Sequence, residues 1–477
     1  MVVGEIAHER DLIIIGGGAG GYQAAIRASQ LGRKVTLFEK EELGGVCLNK
    51  GCIPSKILTA AASSYVNSKE NTVFGIEYSQ LLFHFDKLQE YKKKTIETLK
   101  QGISALCKSN KIEVIKGSAY FLTNNKVGVE SGEQYEVYRF NHAIIATGST
   151  PSKIEGITPD YIRIHDSYSI TSLETFPNKL IVYGNDYLSI EIAMAYEALG
   201  TQVTMLMEEA DFPYDLSINR ELRKNLKRHK IKLITNAKIS KVNNNRELIT
   251  VNYYLNDRTL ELEATHLFTA VKPSPNTKDL GLERIGIITN ESNCIIVNEE
   301  CRTSLSHIFA IGDVTEGPSL AIKAIKQGKV AAEAATGIRS EIDLRFLPIV
   351  AHTRPPLASV GLTEQQAIQS GYQVEIGQFS LSGSGFAAIL GKKHGFVKVI
   401  KDKQNHVLLG IHMIGEGAVE MISTGVTALE MAARDEDIIF PLYPHPSMNE
   451  ALMEAAEALR DQAIHVVSTR LNEKQKV

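Results

Sequence analysis

The sequence predicts an α/β chain in which two Rossmann-like nucleotide-binding domains are followed by a C-terminal α+β domain. The first observation behind this is an internal repeat. Asp11-Leu-Ile-Ile-Ile-Gly-Gly-Gly-Ala-Gly-Gly21 leading to Val35-Thr-Leu-Phe-Glu39 is matched by Leu180-Ile-Val-Tyr-Gly-Asn-Asp-Tyr-Leu-Ser189 leading to Val203-Thr-Met-Leu-Met207. Each copy reads as a buried strand, a tight turn, an amphipathic helix and a second strand. The second observation is that the spacings agree: Gly16 and Gly184 each stand sixteen residues before a helix-to-strand glycine, Gly32 and Gly200. The third is the C-terminal pattern. Gly395-Phe-Val-Lys-Val-Ile-Lys401 and Val407-Leu-Leu-Gly-Ile-His-Met-Ile414 look like antiparallel strands backed by helices around Glu416–Arg434 and Ala451–Val467.

At 477 residues the chain is too long for one ordinary core, so several domains are expected. Apolar residues at 43%, charged residues at 22% and 36 glycines fit a globular α/β protein. The net charge is only −3, and the densest basic run, Lys92-Lys93-Lys94, lies in a polar helical pattern (Gln89–Gln101) that reads as a solvated face. Nucleic acid is therefore not an expected partner. Nor is a membrane, because no apolar run approaches the ~18 residues a span needs. Charges at Glu5, His8, Glu9, Arg10 and Asp11 break any secretory signal core. A cytoplasmic protein is expected, which agrees with an odd number of cysteines, five, in so long a chain.

In the first repeat Gly16, Gly18 and Gly21 form G-x-G-x-x-G between strand and helix. Such glycines allow a tight turn, backbone approach to a pyrophosphate and close helix packing, with the helix N-terminus facing the phosphate charge. Glu39 ends the next strand near the offset of an acid that binds ribose hydroxyls. The second repeat departs at the contact positions. Asp186 stands at the second glycine and Ser189 at the third, while the offset that gives Glu39 lands on Met207. Glu208 is next door but should point to the other face of the strand. No Arg follows to meet a 2′-phosphate, so NADP is less favoured than NAD.

Of the cysteines, Cys107, Cys294 and Cys301 are widely separated and read as structural thiols. Cys47 and Cys52 stand out, in Gly44-Gly-Val-Cys47-Leu-Asn-Lys-Gly-Cys52-Ile-Pro-Ser-Lys56 before a helical stretch, Ile57–Val66. Residues five apart on a regular helix are too distant for a disulfide, so a distorted first turn is expected, which Gly51 permits. At a helix start the Cys52 thiolate would be favoured by the dipole. No metal is expected, since there is no second close pair to complete a zinc site.

This segment resembles the active-site motif of the class I pyridine nucleotide-disulfide oxidoreductases, and among them the dihydrolipoyl dehydrogenase branch. The likeness continues through Ala146-Thr-Gly148, through Thr303-Ser-Leu-Ser-His-Ile-Phe-Ala-Ile-Gly-Asp313, and through His445-Pro-Ser-Met-Asn-Glu450. It implies FAD held by Gly16, Gly18, Gly21, Glu39, Lys56, Thr147, Gly148 and Asp313, with Asp313 on the ribityl chain. It further implies Cys47 as the thiol that exchanges with a substrate dithiol and Cys52 as the thiol against the flavin. Lys56 and Glu191 would form an ion pair beside the flavin ring. His445, supplied by the partner subunit and oriented by Glu450, would take the substrate thiol's proton. From the residues alone, Ser447-x-x-Glu450 is equally a helix capping box. The implied partners are a small dithiol or lipoyl group, a second copy of the chain, and a 2-oxo acid dehydrogenase complex.

On this resemblance the FAD domain spans residues 1–150 and 276–345, the NAD-type domain 151–275 and the dimerisation domain 346–477. Lys272-Pro273-Ser274 replaces the family's Gly-Arg-Arg before Pro-Asn-Thr, and Tyr443 and Ile322 replace histidines frequent in the dehydrogenases. Three readings stay open: a dihydrolipoyl dehydrogenase-like enzyme passing electrons to NAD, an FAD/disulfide oxidoreductase with another electron partner, and a flavoprotein subunit without catalysis.

Overall fold

The computed structural model describes residues 7–245 and 247–466, so Glu5 of the charged amino-terminal stretch and Val467 lie outside the described residues. The chain divides into two compact units. Among the described residues, one gathers 7–58, 84–175 and 271–344; the other gathers 59–83, 176–270 and 345–466.

The first unit is organised by a mixed sheet. Strands Glu113–Lys116, Val35–Glu39, Ala7–Ile15 and Gln134–Ile145 run parallel in that order, with Ile308–Ala310 also parallel to Gln134–Ile145. An antiparallel extension, Lys126–Ser131 and then Ser118–Thr123, completes it. Leu12, Ile13 and Ile14 are fully buried, as a continuous apolar run requires in a parallel strand covered on both faces. Helix Ala19–Gln30 buries Gly20, Gly21, Ala24, Ala25 and Ala28. It lies close against helix Ala321–Ala335: a Cβ on Gly20 would stand 2.8 Å from the Ala324 carbonyl oxygen, and one on Gly328 2.6 Å from that of Gly20.

The basic run departs from expectation. Helix Phe85–Ser109 carries it, but Lys92 is buried, donating to the Thr171 carbonyl and to the Gln89 side chain. Burial and the neighbouring Lys93 charge lower its pKa to about 8. A solvated face is therefore right for part of the run only.

In the second unit strands Lys232–Ile234, Gln202–Leu206, Lys179–Tyr183 and His266–Thr269 run parallel in that order. The repeat is present as strand Lys179–Tyr183, helix Tyr187–Ala198 and strand Gln202–Leu206. This helix is not amphipathic, since ten of its twelve residues are buried, Glu191 among them. An antiparallel meander follows, Lys238–Asn245, Leu248–Leu255 and Arg258–Ala264.

The C-terminal part is an antiparallel sheet in the order Ile349–Ala351, Leu357–Gly361, Leu408–Ile414, Phe396–Asp402 and Val374–Ser380. Helices Ala418–Glu430 and Glu450–Ala458 back it, shorter than the sequence pattern suggests. Every residue of strands Phe396–Asp402 and Leu408–Ile414 is buried, including the polar positions of the alternation. Lys398 donates to Asp215 at 2.8 Å and to Glu364 at 2.7 Å, and Lys401 to Asp435 at 2.7 Å.

Candidate functional site: a glycine turn, a cysteine pair and a His–Glu dyad

Steric demands explain Gly16 and Gly21 of the first turn. Gly16 has φ +105°, and a Cβ there would stand 2.3 Å from the Ala146 carbonyl oxygen. One on Gly21 would lie 1.9 Å from the Gly16 oxygen. Gly18 is different: it is the N-cap of helix Ala19–Gln30, has ordinary extended backbone (φ −67°, ψ −175°) and caps with no side chain. A Cβ on Gly18 would meet nothing nearer than Gly45 Cα at 3.9 Å. The turn thus leaves a helix N-terminus with open space before it, which is what a pyrophosphate requires. These residues fit a dinucleotide.

Glu39 accepts from the Gly17 N–H at 2.6 Å and the Glu41 N–H at 2.7 Å, so its carboxylate is fixed at the rim of the turn. Thr147 and Gly148 are joined to Asn276: the Thr147 hydroxyl donates to the Asn276 carbonyl at 2.8 Å, and the Asn276 N–H to the Gly148 carbonyl at 2.9 Å. Asp313, in the short turn Gly312–Val314, accepts from the Ser149 hydroxyl at 2.7 Å. Burial pushes its carboxyl above the usual range, opposed by the Ser149 bond and the nearby Lys323 charge. Lys323 is wholly buried and donates to the carbonyls of Thr315 (3.1 Å) and Glu316 (2.7 Å). Sequence reasoning missed Ser149 and Lys323; a lysine inside the apolar pattern Ala321-Ile-Lys-Ala-Ile325 was the available signal for the second.

The cysteine segment is stitched to this turn. Gly44 (φ +90°) and Gly45 (φ +57°) carry the chain past Gly18, and the Gly44 N–H donates to the Gly17 carbonyl at 2.9 Å. A Cβ on Gly45 would stand 2.7 Å from Gly18 Cα, so the two segments meet backbone to backbone. Cys47 lies in a short helix, Gly45–Asn49, and Cys52 opens the long helix Cys52–Glu70. The pair therefore straddles two helical segments broken at Lys50-Gly51, instead of sharing one helix with a distorted first turn. The break is held by the Gly51 N–H on the Val46 carbonyl at 2.7 Å.

Both cysteines are half-buried. A hydrogen bond with Cys52 and burial push the Cys47 thiol strongly up, while the Lys56 charge, one turn into the long helix, pulls the other way. Sulfurs close enough to share a proton are close enough to cycle between dithiol and disulfide.

The other predicted residues fall in the second unit. Glu191 is fully buried and accepts from the His352 N–H at 2.7 Å. Lys56 belongs to the first unit. His445 Nδ1 is 2.8 Å from Glu450 Oε1, and Glu450 Oε2 accepts from the Ser447 N–H at 2.8 Å. Burial pushes Glu450 up, but the bonds from His445 and Ser447 outweigh it and hold the carboxyl below its usual range. The capping-box alternative is only half made: among the described residues the Ser447 hydroxyl caps nothing and has no partner. The His445 side chain is 82% exposed, presenting its Nε2 edge to whatever approaches.

The second turn departs from the first at each contact residue. Asp186 is the N-cap of helix Tyr187–Ala198, and its Oδ1 accepts from the Ser189 N–H (2.8 Å) and hydroxyl (2.6 Å). Met207 is wholly buried and offers no acceptor where Glu39 binds the first turn. Glu208 is engaged by the Tyr183 hydroxyl. These residues do not fit a dinucleotide pyrophosphate as the first set does. Among the described residues, no cluster of His, Cys, Asp and Glu is arranged to hold a metal ion, and no helix is long and apolar enough to cross a membrane.

Comparison with known proteins agrees with this geometry. Residues 10–328 match the pyridine nucleotide-disulphide oxidoreductase family, and residues 347–456 match that family's dimerisation domain. The chain is 40% identical to a dihydrolipoyl dehydrogenase of Geobacillus stearothermophilus over 470 residues, covering 98% of this chain and 100% of that one. It is 39% identical to one of Bacillus subtilis over 474 residues, with the same coverage. The solved structure of LpdA from Mycobacterium tuberculosis superposes with a TM-score of 0.88 at 25% identity, covering 94% of this chain and 99% of that one. The chain belongs to the pyridine nucleotide-disulphide oxidoreductase family. Within it, the protein is a dihydrolipoyl dehydrogenase-like, FAD-dependent disulfide oxidoreductase, two Rossmann-like domains and a dimerisation domain acting on a dithiol substrate as a homodimer.

Proposed function

We propose that the chain oxidises a dihydrolipoyl dithiol at the Cys47–Cys52 pair and passes the two electrons to FAD. The observation that carries this is the Gly17–Gly44 hydrogen bond and Gly18–Gly45 backbone contact, which tie the cysteine segment to the dinucleotide turn. A substrate thiolate attacks Cys47 Sγ of the oxidised pair, forming a mixed disulfide and releasing Cys52 as thiolate. The second substrate thiol then attacks the substrate sulfur of that bond, closing the substrate disulfide and releasing Cys47. Two electrons now reside on the cysteine pair, and FAD, when bound, supplies their acceptor.

Gly16, Gly18 and Gly21 shape the FAD cradle in this reading, Glu39 holds a ribose, and Thr147, Gly148 and Asp313 line the flavin side. Lys56 and Glu191 flank the flavin ring. His445 takes the substrate thiol's proton at Nε2, its tautomer fixed by Glu450 on Nδ1, because the attacking species is the thiolate. Exposed Phe440 (89%) and Leu442 (100%), just before His445, support a partner copy covering this edge. The domains divide as residues 1–150 with 276–345 for FAD, 151–275 for the nucleotide and 346–477 for dimerisation. NAD is the electron acceptor that family membership supports. A 2-oxo acid dehydrogenase complex in the cytoplasm is the setting we propose, the odd number of cysteines in the chain fitting a reducing compartment.

The test is anaerobic mixing of the purified FAD-loaded protein with dihydrolipoamide while following flavin absorption. Rapid bleaching in wild type, lost in Cys47→Ser and Cys52→Ser variants that keep their FAD, is the expected result. Bleaching that survives either substitution would overturn the assignment.

A further inference from the structure

We propose that Asp186 is a built-in competitor for the dinucleotide pyrophosphate, so that the second Rossmann unit binds nicotinamide nucleotides weakly and this one carboxylate sets the affinity. The chain contains its own control. Gly18 and Asp186 are both N-caps of the first helix after a first strand, with nearly the same backbone: φ −67°, ψ −175° for Gly18 and φ −79°, ψ 173° for Asp186. The fold has thus kept the turn while the side chain has changed.

At Gly18 a Cβ would meet nothing nearer than the Gly45 Cα at 3.9 Å, and the cap position has no side-chain acceptor. At Asp186 the carboxylate folds back over the helix start and occupies both the Ser189 N–H and the Ser189 hydroxyl. That N–H belongs to the set of donors a bound phosphate would use, and the Asp186 carboxyl already satisfies it. Burial pushes this carboxyl up, opposed by the two Ser189 bonds, and in its ionised form it carries a charge of the same sign as the phosphate. A nucleotide must displace this oxygen and approach a like charge at short range.

Three further positions remove the compensations a displaced turn would need. Ser189 is fully buried where the first turn has Gly21, and its hydroxyl lies where a Cβ on Gly184 would meet it at 2.6 Å. Met207 supplies no acceptor for the turn, and the Glu208 carboxylate is committed to Tyr183. Helix capping by Asp also stabilises the occluded arrangement, because a helix N-terminus with an acidic cap has its macrodipole answered.

The inference rests on the dithiol reading only for what lies upstream of the nucleotide, and its test separates the two. The FAD-loaded wild type, Asp186→Gly and Asp186→Asn are titrated with NAD and with NADH by calorimetry, and each is mixed separately with dihydrolipoamide. The proposal expects the Gly variant to bind both nucleotides at least about tenfold more tightly than wild type, with Asn, which keeps the cap but not the charge, between them. Equal affinities in the three proteins, tighter binding by wild type, or no binding by any would overturn it. Glycine is a tolerated cap and Asn a good one, so melting curves on both guard against a folding artefact. Flavin bleaching by dihydrolipoamide should be the same in all three; its absence in wild type would refute the proposed function without touching the binding result.

Discussion

Placing the second turn's aspartate in the first turn, as Gly18→Asp, should abolish FAD binding while leaving the chain folded. Folding should survive because Gly18 has backbone angles any L-residue adopts, and its Cβ would meet nothing nearer than 3.9 Å. Asp186 shows that an aspartate in this backbone bonds its own helix. The carboxylate would then take donors the pyrophosphate needs and place a negative charge beside it. At a separation of about 5 Å and an effective dielectric of ~20, one such pair costs about 3 kcal/mol. That is roughly a hundredfold in affinity for each phosphate charge so placed. The assay is the flavin-to-protein absorbance ratio after purification, followed by titration of the apoprotein with FAD. Gly18→Ala separates bulk from charge and should keep much more flavin than Gly18→Asp. A Gly18→Asp protein purified with one FAD per chain would refute both this argument and its counterpart for Asp186.

Other expectations concern the second unit. Lys398→Met should leave Asp215, whose side chain is 1% exposed, as a buried unpaired charge and cost about 3–5 kcal/mol, read as a drop of roughly 5–15 °C in a thermal-shift assay. An additional Asp215→Asn should restore part of that loss. Burial raises the Asp215 and Asp435 carboxyls, but bonds from Lys398 and Ser217 in one case and Arg460 and Lys401 in the other outweigh it and depress both. Their stabilisation is therefore present above the unfolded carboxyl pKa of about 4 and drains away as pH falls below it, so urea midpoints should drop with acid more steeply in wild type than in Asp215→Asn. His445→Gln should slow dihydrolipoamide-driven flavin bleaching by about 100- to 10,000-fold with FAD content unchanged, and Glu450→Gln by less, because it only orients the ring. Equal rates in wild type and His445→Gln would remove His445 from the chemistry.

What the sequence carried plainly was whatever local sterics enforce. Gly16 and Gly21 are glycine because a Cβ would strike backbone at 2.3 and 1.9 Å, and such demands leave a fixed spacing in the chain. The Cys47–Cys52 pair and the His445–Glu450 dyad were legible for a related reason, since each couples residues only five positions apart. Burial of charge was not legible. Lys398 reaches Asp215 across 183 residues, Lys401 reaches Asp435 across 34, and Lys92 meets the Thr171 carbonyl across 79. A lysine on an alternating strand or a polar helix face reads as solvated until its distant partner is known. The same limit hid the second repeat's helix, which looked amphipathic although ten of its twelve residues are buried, Glu191 among them on the His352 N–H 161 residues away.

The paired turns show where this fold stores its ligand preference. Strand, helix and second strand recur with the same spacing and almost the same cap dihedrals, so the backbone at the caps does not distinguish the two sites. The distinction lies in three side chains, Asp186, Ser189 and Met207 against Gly18, Gly21 and Glu39. None of the three disrupts folding: Asp186 caps its helix, and Ser189 and Met207 are fully buried. A duplicated scaffold can therefore weaken one ligand by filling its cradle from within while the other copy, bonded through Gly17 to the cysteine segment, stays open. The constraint is unequal for a physical reason. A side chain larger than hydrogen at Gly16 or Gly21 meets backbone, whereas the middle position of each turn has room, so change at that position alters binding before it alters the fold.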